Sequence, residues 1–138
     1  MLLVRHERST IDDRLAAVRT RIRRLTPEQA AAAQADGAVI VDTRDSADRR
    51  AEGVIPGSLP ITRNTLEWRA DPAAECPDPR VSDFSRDIVV VCNDGYASSL
   101  AADSLRELGH ATAADMIGGY RAWKAAGLPT EADRDARR

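Results

Sequence analysis

The stretch Val89-Val90-Val91-Cys92-Asn93-Asp94-Gly95-Tyr96-Ala97-Ser98-Ser99 (residues 89–99) sets a cysteine between two kinds of periodicity. The three valines are the continuous β-branched run of a buried strand, whereas Leu100, Leu105 and Leu108 recur downstream at helical spacing. Cys92 therefore stands at the carboxyl end of a strand and faces the amino end of a helix. Gly95 permits the backbone turn that joins the two.

Working outward, the same alternation of strand and helix repeats. Toward the amino terminus, Ala38-Val39-Ile40-Val41 is a second continuous apolar run, which implies burial on both faces and a parallel sheet covered by helices. Asp42-Thr43-Arg44 hangs off its carboxyl end. Before it, Thr26-Pro27-Glu28-Gln29 carries a helix start, with Thr26 as cap, Pro27 in the first turn and Gln29 closing a capping box; Asp36-Gly37 stops that helix. Further upstream, Ser9 or Thr10 can cap a helix over residues 9–24, and Ile11, Leu15, Val18, Ile22 and, just past its end, Leu25 follow at spacings of three and four. Its Arg19, Arg21, Arg23 and Arg24 read as a solvated face complementing the helix dipole. The pattern suits packing on the domain and pairing with a second copy equally well.

Between the two apolar runs, Asp45 or Ser46 caps a short helix over residues 47–52, and Gly53-Val54-Ile55-Pro56-Gly57-Ser58 turns into a strand from Leu59 to Ile61. Residues 63–86 are the least regular part, with one helical turn around Leu66-Glu67-Trp68-Arg69 and an uninvolved surface thiol at Cys76. Past the cysteine helix, a short strand is expected over residues 112–117. Gly118-Gly119 then turns the chain into a last helix, Tyr120 to Ala126, with Trp123 in the core. The charged tail over residues 131–138 is expected to be mobile. The fold class is α/β, with a mostly parallel central sheet, helices on both faces and an extra amino-terminal helix.

The chain has 138 residues, 43% hydrophobic and 30% charged, with a formal net charge of -2, which fits one domain with appendages and provides no electrostatic footprint for nucleic acid. No run approaches the roughly 20 apolar residues of a membrane span, and the opening Met1-Leu2-Leu3-Val4 is too short for a secretory signal, so a cytoplasmic location is expected. Two cysteines and two histidines in unrelated settings make no ligand cluster, and neither metal nor cofactor is expected. His6 and His110 receive no catalytic role.

Two readings of Cys92 stand side by side on local pattern. One is a small buried hydrophobe ending a strand. The other is a reactive thiolate stabilised by the helix dipole and by the amides of residues 93–98, at the strand end where open α/β folds bind ligands.

Five segments in register go further. Leu25-Thr26-Pro27-Glu28, Val39 to Arg44, Gly53 to Ser58, Val91 to Ser98, and Gly118-Gly119-Tyr120-Arg121-Ala122-Trp123 with Gly127-Leu128-Pro129 together resemble the single-domain rhodanese-like sulfurtransferases. The resemblance spans residues 25–130, leaving 1–24 as an extension and 131–138 as a tail. It implies a sulfurtransferase that moves a sulfane sulfur from a small-molecule donor, thiosulfate or a persulfide, to a thiophilic acceptor through a persulfide on Cys92. Asn93, Asp94, Gly95, Tyr96, Ala97 and Ser98 would form the sulfur-binding loop, with the Ser98 hydroxyl among its donors. Asp42 and Arg44 would brace loops near the site.

The chain departs from the family at Ala97, where a cation or hydroxyl is common, and at Val54, where histidine is common. The first departure predicts weak use of an anionic donor. Arg63 and Arg69 are the candidates to replace the missing cation, and Trp68 to wall the pocket. Two other functions share the pattern: a noncatalytic interaction module, which often lacks the cysteine, and a phosphatase or arsenate reductase. The second needs an arginine where this chain has Ser98, and no arginine occurs between Cys92 and Arg106.

Overall fold

A computed structural model describes residues 7–134 of the chain. His6 and residues 135–138 of the charged tail lie outside the described residues. The elements, in chain order, are α1 (Ile11–Arg19), β1 (Arg23–Leu25), α2 (Pro27–Ala35), β2 (Val39–Asp42), α3 (Ser46–Glu52), β3 (Leu59–Pro60), α4 (Leu66–Ala70), β4 (Ile88–Val91), α5 (Ala97–Leu108), β5 (Ala114–Met116) and α6 (Gly119–Ala125). None of these helices is long and apolar enough to cross a membrane.

The five strands form one sheet in the order β1-β5-β4-β2-β3, and every pairing is parallel. Alternation along β2 and β4 divides the core. Val39, Val41, Ile88 and Val90 face one layer with Leu66 of α4 and Ala101, Ala102 and Leu105 of α5. Ile40, Val89 and Val91 face the other, with Ala30 of α2 and Tyr120 and Trp123 of α6. Each large side chain buried in this way contributes about 1.5–3 kcal/mol of transfer free energy, offset by the entropy of ordering it. The consequence for function is directional: all five strands end on one side, and Cys92 follows β4 there.

The amino-terminal expectation needs correction. The helix is α1, and it ends at Arg19 rather than running to residue 24; Thr10 caps it in a capping box with Asp13. Arg23–Leu25 instead form the edge strand β1, paired with β5. Ile22 and Leu25, which matched the helical spacing, serve the two core layers from either side of that strand. Edge pairing with β5 and the partial burial of Ile22 and Leu25 in opposite layers outweigh a helical spacing that these two residues satisfy equally well. Leu15 and Val18 of α1 are buried, and α1 lies along α5.

At the other end, Glu131 exchanges backbone hydrogen bonds with Val54, and Asp133 pairs with Arg49 at 3.3 Å, so residues 131–133 are fastened to the domain rather than mobile.

Candidate active site

The turn after β4 folds back on its own sulfur. Cys92 is 8% exposed, and its Sγ accepts hydrogen bonds from the amides of Gly95 at 3.2 Å and Ser98 at 3.4 Å. Amides fixed on a sulfur in this way favour negative charge there without offering a competing base. Gly95 adopts φ +84°, and a Cβ on it would stand 2.7 Å from the Gly118 nitrogen, so only glycine closes the turn.

The Gly118-Gly119 turn holds the loop from outside. Tyr120 N–H donates to the Cys92 carbonyl at 2.8 Å and Arg121 N–H to the Asn93 carbonyl at 3.2 Å. A Cβ at Gly119 would lie 2.5 Å from both carbonyl oxygens, which explains why the two loops approach only through glycine.

Beneath the loop sits Asp115 of β5, fully buried. Its carboxylate accepts the Ser98 hydroxyl at 2.9 Å, the Ser99 hydroxyl at 2.7 Å and a bidentate pair from Arg24. The buried charge is thus paired and hydrogen-bonded, as it must be. This corrects the expected role of Ser98: its amide reaches the sulfur, but its hydroxyl is committed to Asp115.

Above the loop is an open depression of about 210 Å³ lined by Cys92, Asn93, Asp94, Tyr96 and Ala97. Asn93 Nδ2 donates to Asp48 at 3.1 Å. Asp94 pairs with Arg121 at 2.8 Å, and Arg121 also meets both oxygens of Glu52 at 3.1 Å. The Arg121 hydrogen bonds hold the Glu52 carboxyl below the usual carboxylate range, and the two carboxylates raise the arginine in turn. Among the described residues no cation lines the depression, and Arg121, which reaches Asp94, is already paired with carboxylates.

Asp42 and Arg44 take a bracing position. Arg44 Nη2 meets Asp42 Oδ2 at 2.7 Å in a pair that is 1% and 2% exposed. The same nitrogen donates to the Gly53 carbonyl at 2.8 Å, and the guanidinium lies 3.8 Å from the centre of the Tyr120 ring. The pair ties the end of β2 to the α3 turn and to α6, and neither residue lines the depression.

Arg63 and Arg69 do not supply the missing cation. Arg63 binds Glu67 at 2.7 Å, and Arg69 donates to the Cys76 carbonyl at 2.7 Å. Trp68 walls a separate depression with Asn64, Thr65, Arg69 and Cys76, away from Cys92. His110 is buried, with Nε2 2.9 Å from the Ala70 carbonyl oxygen, a structural placement. The functional surroundings that sequence reasoning missed are Arg19, Arg24, Asp115 and Arg121. None stands near Cys92 in sequence, and the arginine run at residues 19–24 has the pattern of a solvated face; in the structure Arg19, Arg21 and Arg24 all reach specific partners.

A cysteine at a strand end, cradled by backbone amides ahead of a helix in a parallel α/β sheet, puts a thiol where open α/β folds bind their ligands. Residues 26–126 match the rhodanese-like domain, and the chain belongs to that family. A thiosulfate sulfurtransferase GlpE from Pseudomonas savastanoi is 33% identical over 106 residues, covering 77% of this chain and 91% of that protein. A solved structure from Rhodopseudomonas palustris, described as a protein of unknown function and possible tyrosine phosphatase, superposes with a TM-score of 0.83 at 32% identity, over 94% of this chain and 99% of the other. A rhodanese-related protein from Thermoplasma volcanium shares the fold with a TM-score of 0.64 at 20% identity, over 80% of this chain and 99% of the other.

Proposed function

We propose that this protein is a rhodanese-type sulfurtransferase that carries a sulfane sulfur on Cys92 from a small-molecule donor to a thiophilic acceptor. The carrying observation is the cysteine itself, present at the strand end with two amides on its sulfur. The Cys92 thiolate attacks the outer sulfur of the donor; a new S–S bond forms, the donor's S–S bond breaks, and the leaving thiolate or sulfite takes the electron pair. The acceptor then attacks the outer sulfur of the Cys92 persulfide, and the Cys92 thiolate leaves. No external oxidant or reductant is needed, because the transferred sulfur arrives and departs at the same oxidation level.

Thiosulfate enters as a donor because relatives such as the Pseudomonas savastanoi protein are named for it. The charge at the mouth favours a persulfide of a low-molecular-weight thiol instead. Ala97 offers no cation, Asp94 places a carboxylate on the rim, and Arg121 is occupied by Asp94 and Glu52. A dianion meets no cationic side chain among the residues lining the depression. The reaction fits the cytoplasm, where thiols such as the free Cys76 and Cys92 stay reduced. Its partners are then small molecules, and pairing of two copies through α1 would have to use the exposed Ile11, since Leu15 and Val18 are spent within the chain.

The phosphatase description attached to the Rhodopseudomonas palustris structure does not transfer. An oxyanion-clamping arginine would stand at Ser98, whose amide binds Sγ and whose hydroxyl binds Asp115.

The test is intact-mass analysis after incubation with thiosulfate and, separately, with cysteine persulfide. Addition of one sulfur atom to wild type and none to Cys92→Ser is expected. A wild-type chain that gains no sulfur from either donor leaves the interaction-module reading in its place.

A further inference from the structure

Two arginines converge on one loop carbonyl. Arg19 Nη2 donates to the Gly95 oxygen at 2.9 Å, and Arg24 Nη2 donates to the same oxygen at 3.1 Å. Both residues precede the segment 26–126 that matches the family. Gly95 is therefore fastened at both ends, its N–H on the Cys92 sulfur and its carbonyl on a guanidinium pair.

The geometry has a consequence for the next amide. The described chain contains no cis peptide bond, and in a trans peptide C=O and N–H point in opposite directions. Holding the Gly95 oxygen on the arginine side turns the Tyr96 N–H away from that side. This N–H has no protein acceptor among the described residues. Two cations on the oxygen also polarise the peptide and strengthen the donor at its other end.

The two arginines differ in charge balance. Arg24 is matched by Asp115 at 2.9 Å. Arg19 bonds to the Ser99 hydroxyl at 3.1 Å and lies 5.7 Å from the centre of the Tyr96 ring, yet meets no carboxylate at ion-pair distance among the described residues. A strut that only tied this segment to α5 could use a carboxylate on α5, as Arg21, just past the end of α1, does with Asp103. Arg19 instead spends its charge on the sulfur loop.

We propose that Arg19, assisted by Arg24, is a positioning residue for sulfur transfer: it fixes the Gly95–Tyr96 peptide so that the Tyr96 amide receives the outer, negatively charged sulfur of the Cys92 persulfide. The inference rests on the sulfurtransferase reading. It also makes the amino-terminal segment part of the working site.

Single-turnover loading of Cys92 by cysteine persulfide, quenched and read by intact mass, tests it with Arg19→Gln, Arg19→Lys and Arg14→Ala. Arg19→Gln removes the charge and shortens the side chain below the reach of the Gly95 carbonyl; the maximal loading rate falls about tenfold while the half-saturating donor concentration stays within about twofold. Arg19→Lys restores a cationic donor and brings the rate to within about threefold of wild type. Arg14→Ala, on the exposed face of the same helix, loads at the wild-type rate. The inference is overturned if Arg19→Gln loads as fast as wild type, if only the half-saturating concentration changes, if Arg19→Lys is no better than Arg19→Gln, or if Arg14→Ala is equally slow. Wild type that never gains sulfur removes the sulfurtransferase reading and this inference together, whereas equal loading by wild type and Arg19→Gln removes this inference alone.

Discussion

Two arginine–aspartate systems flank the sulfur loop, and they differ in how the chain assembles them. On one flank, Asp42 and Arg44 are two residues apart, lie almost fully buried, and tie β2 to α3 and α6 without touching the depression over Cys92. On the other, Arg24 and Asp115 are joined across 91 residues, and the same aspartate takes the hydroxyls of Ser98 and Ser99 from the loop itself. The first system is a brace for the scaffold. The second reaches the loop's own residues. An ion pair's burial therefore says little about its part in chemistry; what matters is which backbone it holds.

The largest expected effect separates the two flanks directly. Arg44→Met leaves the Asp42 carboxylate buried without its cation, and breaking a buried pair by removing one partner costs about 3–5 kcal/mol. Chemical denaturation shows that loss, while Cys92 in the remaining folded protein still loads sulfur at the wild-type rate. A comparable fall in loading rate would erase the distinction between brace and loop support. Asp115→Asn is next: loss of the charged acceptor for two hydroxyls and a guanidinium costs about 1.5–3 kcal/mol. Because those donors belong to the loop and its clamp, loading in the folded protein also slows by about tenfold. Lost stability with an unchanged rate would make Asp115 scaffold only.

A smaller effect concerns the loop between the flanks. Ala97 is exposed at the rim of the depression, so Ala97→Arg adds a cation without disturbing the core. The ratio of kcat/KM for thiosulfate to that for cysteine persulfide should rise about fivefold, roughly 1 kcal/mol of differential stabilisation. An unchanged ratio would mean that rim charge does not select the donor.

The contrast between flanks also explains what the sequence made legible. The brace, the cysteine loop and the glycine turns were readable because their determinants are contiguous: Asp42 with Arg44, Cys92 with Gly95, Gly118 with Gly119. The alternation of apolar runs and helical spacings likewise placed β2, β4, α2 and α5 closely. The amino-terminal segment is not legible because Ile22 and Leu25 satisfy helical spacing while the chain uses them in and beside an edge strand. The roles of Arg19 and Arg24 are not legible because their partners, Gly95 and Asp115, lie 76 and 91 residues away. A run of arginines carries no mark of what it will meet; only the sheet order that sets β1 beside β5 brings Arg24 to Asp115.

The smallest effect probes how the amino-terminal segment is tethered near that second flank. Asp103 of α5 accepts two bonds from Arg21, at 3.1 and 2.9 Å, and a third from Arg106 at 3.0 Å. The Arg21 hydrogen bonds hold the Asp103 carboxyl below the usual carboxylate range against the opposing effect of its burial, with Arg106 adding to the lowering. A depressed native value means that the unfolded chain takes up this proton first as the pH falls. The tether's contribution is therefore fully present well above the unfolded-state value, about 3.9 for an aspartate, and is lost progressively as pH drops through it toward the native value. Urea denaturation of wild type and Asp103→Asn at pH 6 and pH 3 isolates this carboxylate from Glu52, Glu67, Asp78 and Asp83, whose values are also lowered and which both proteins share. The stability gap between the two proteins should narrow from pH 6 to pH 3; a gap of equal size at both would mean that Asp103 holds α5 to the amino-terminal segment through shape rather than charge.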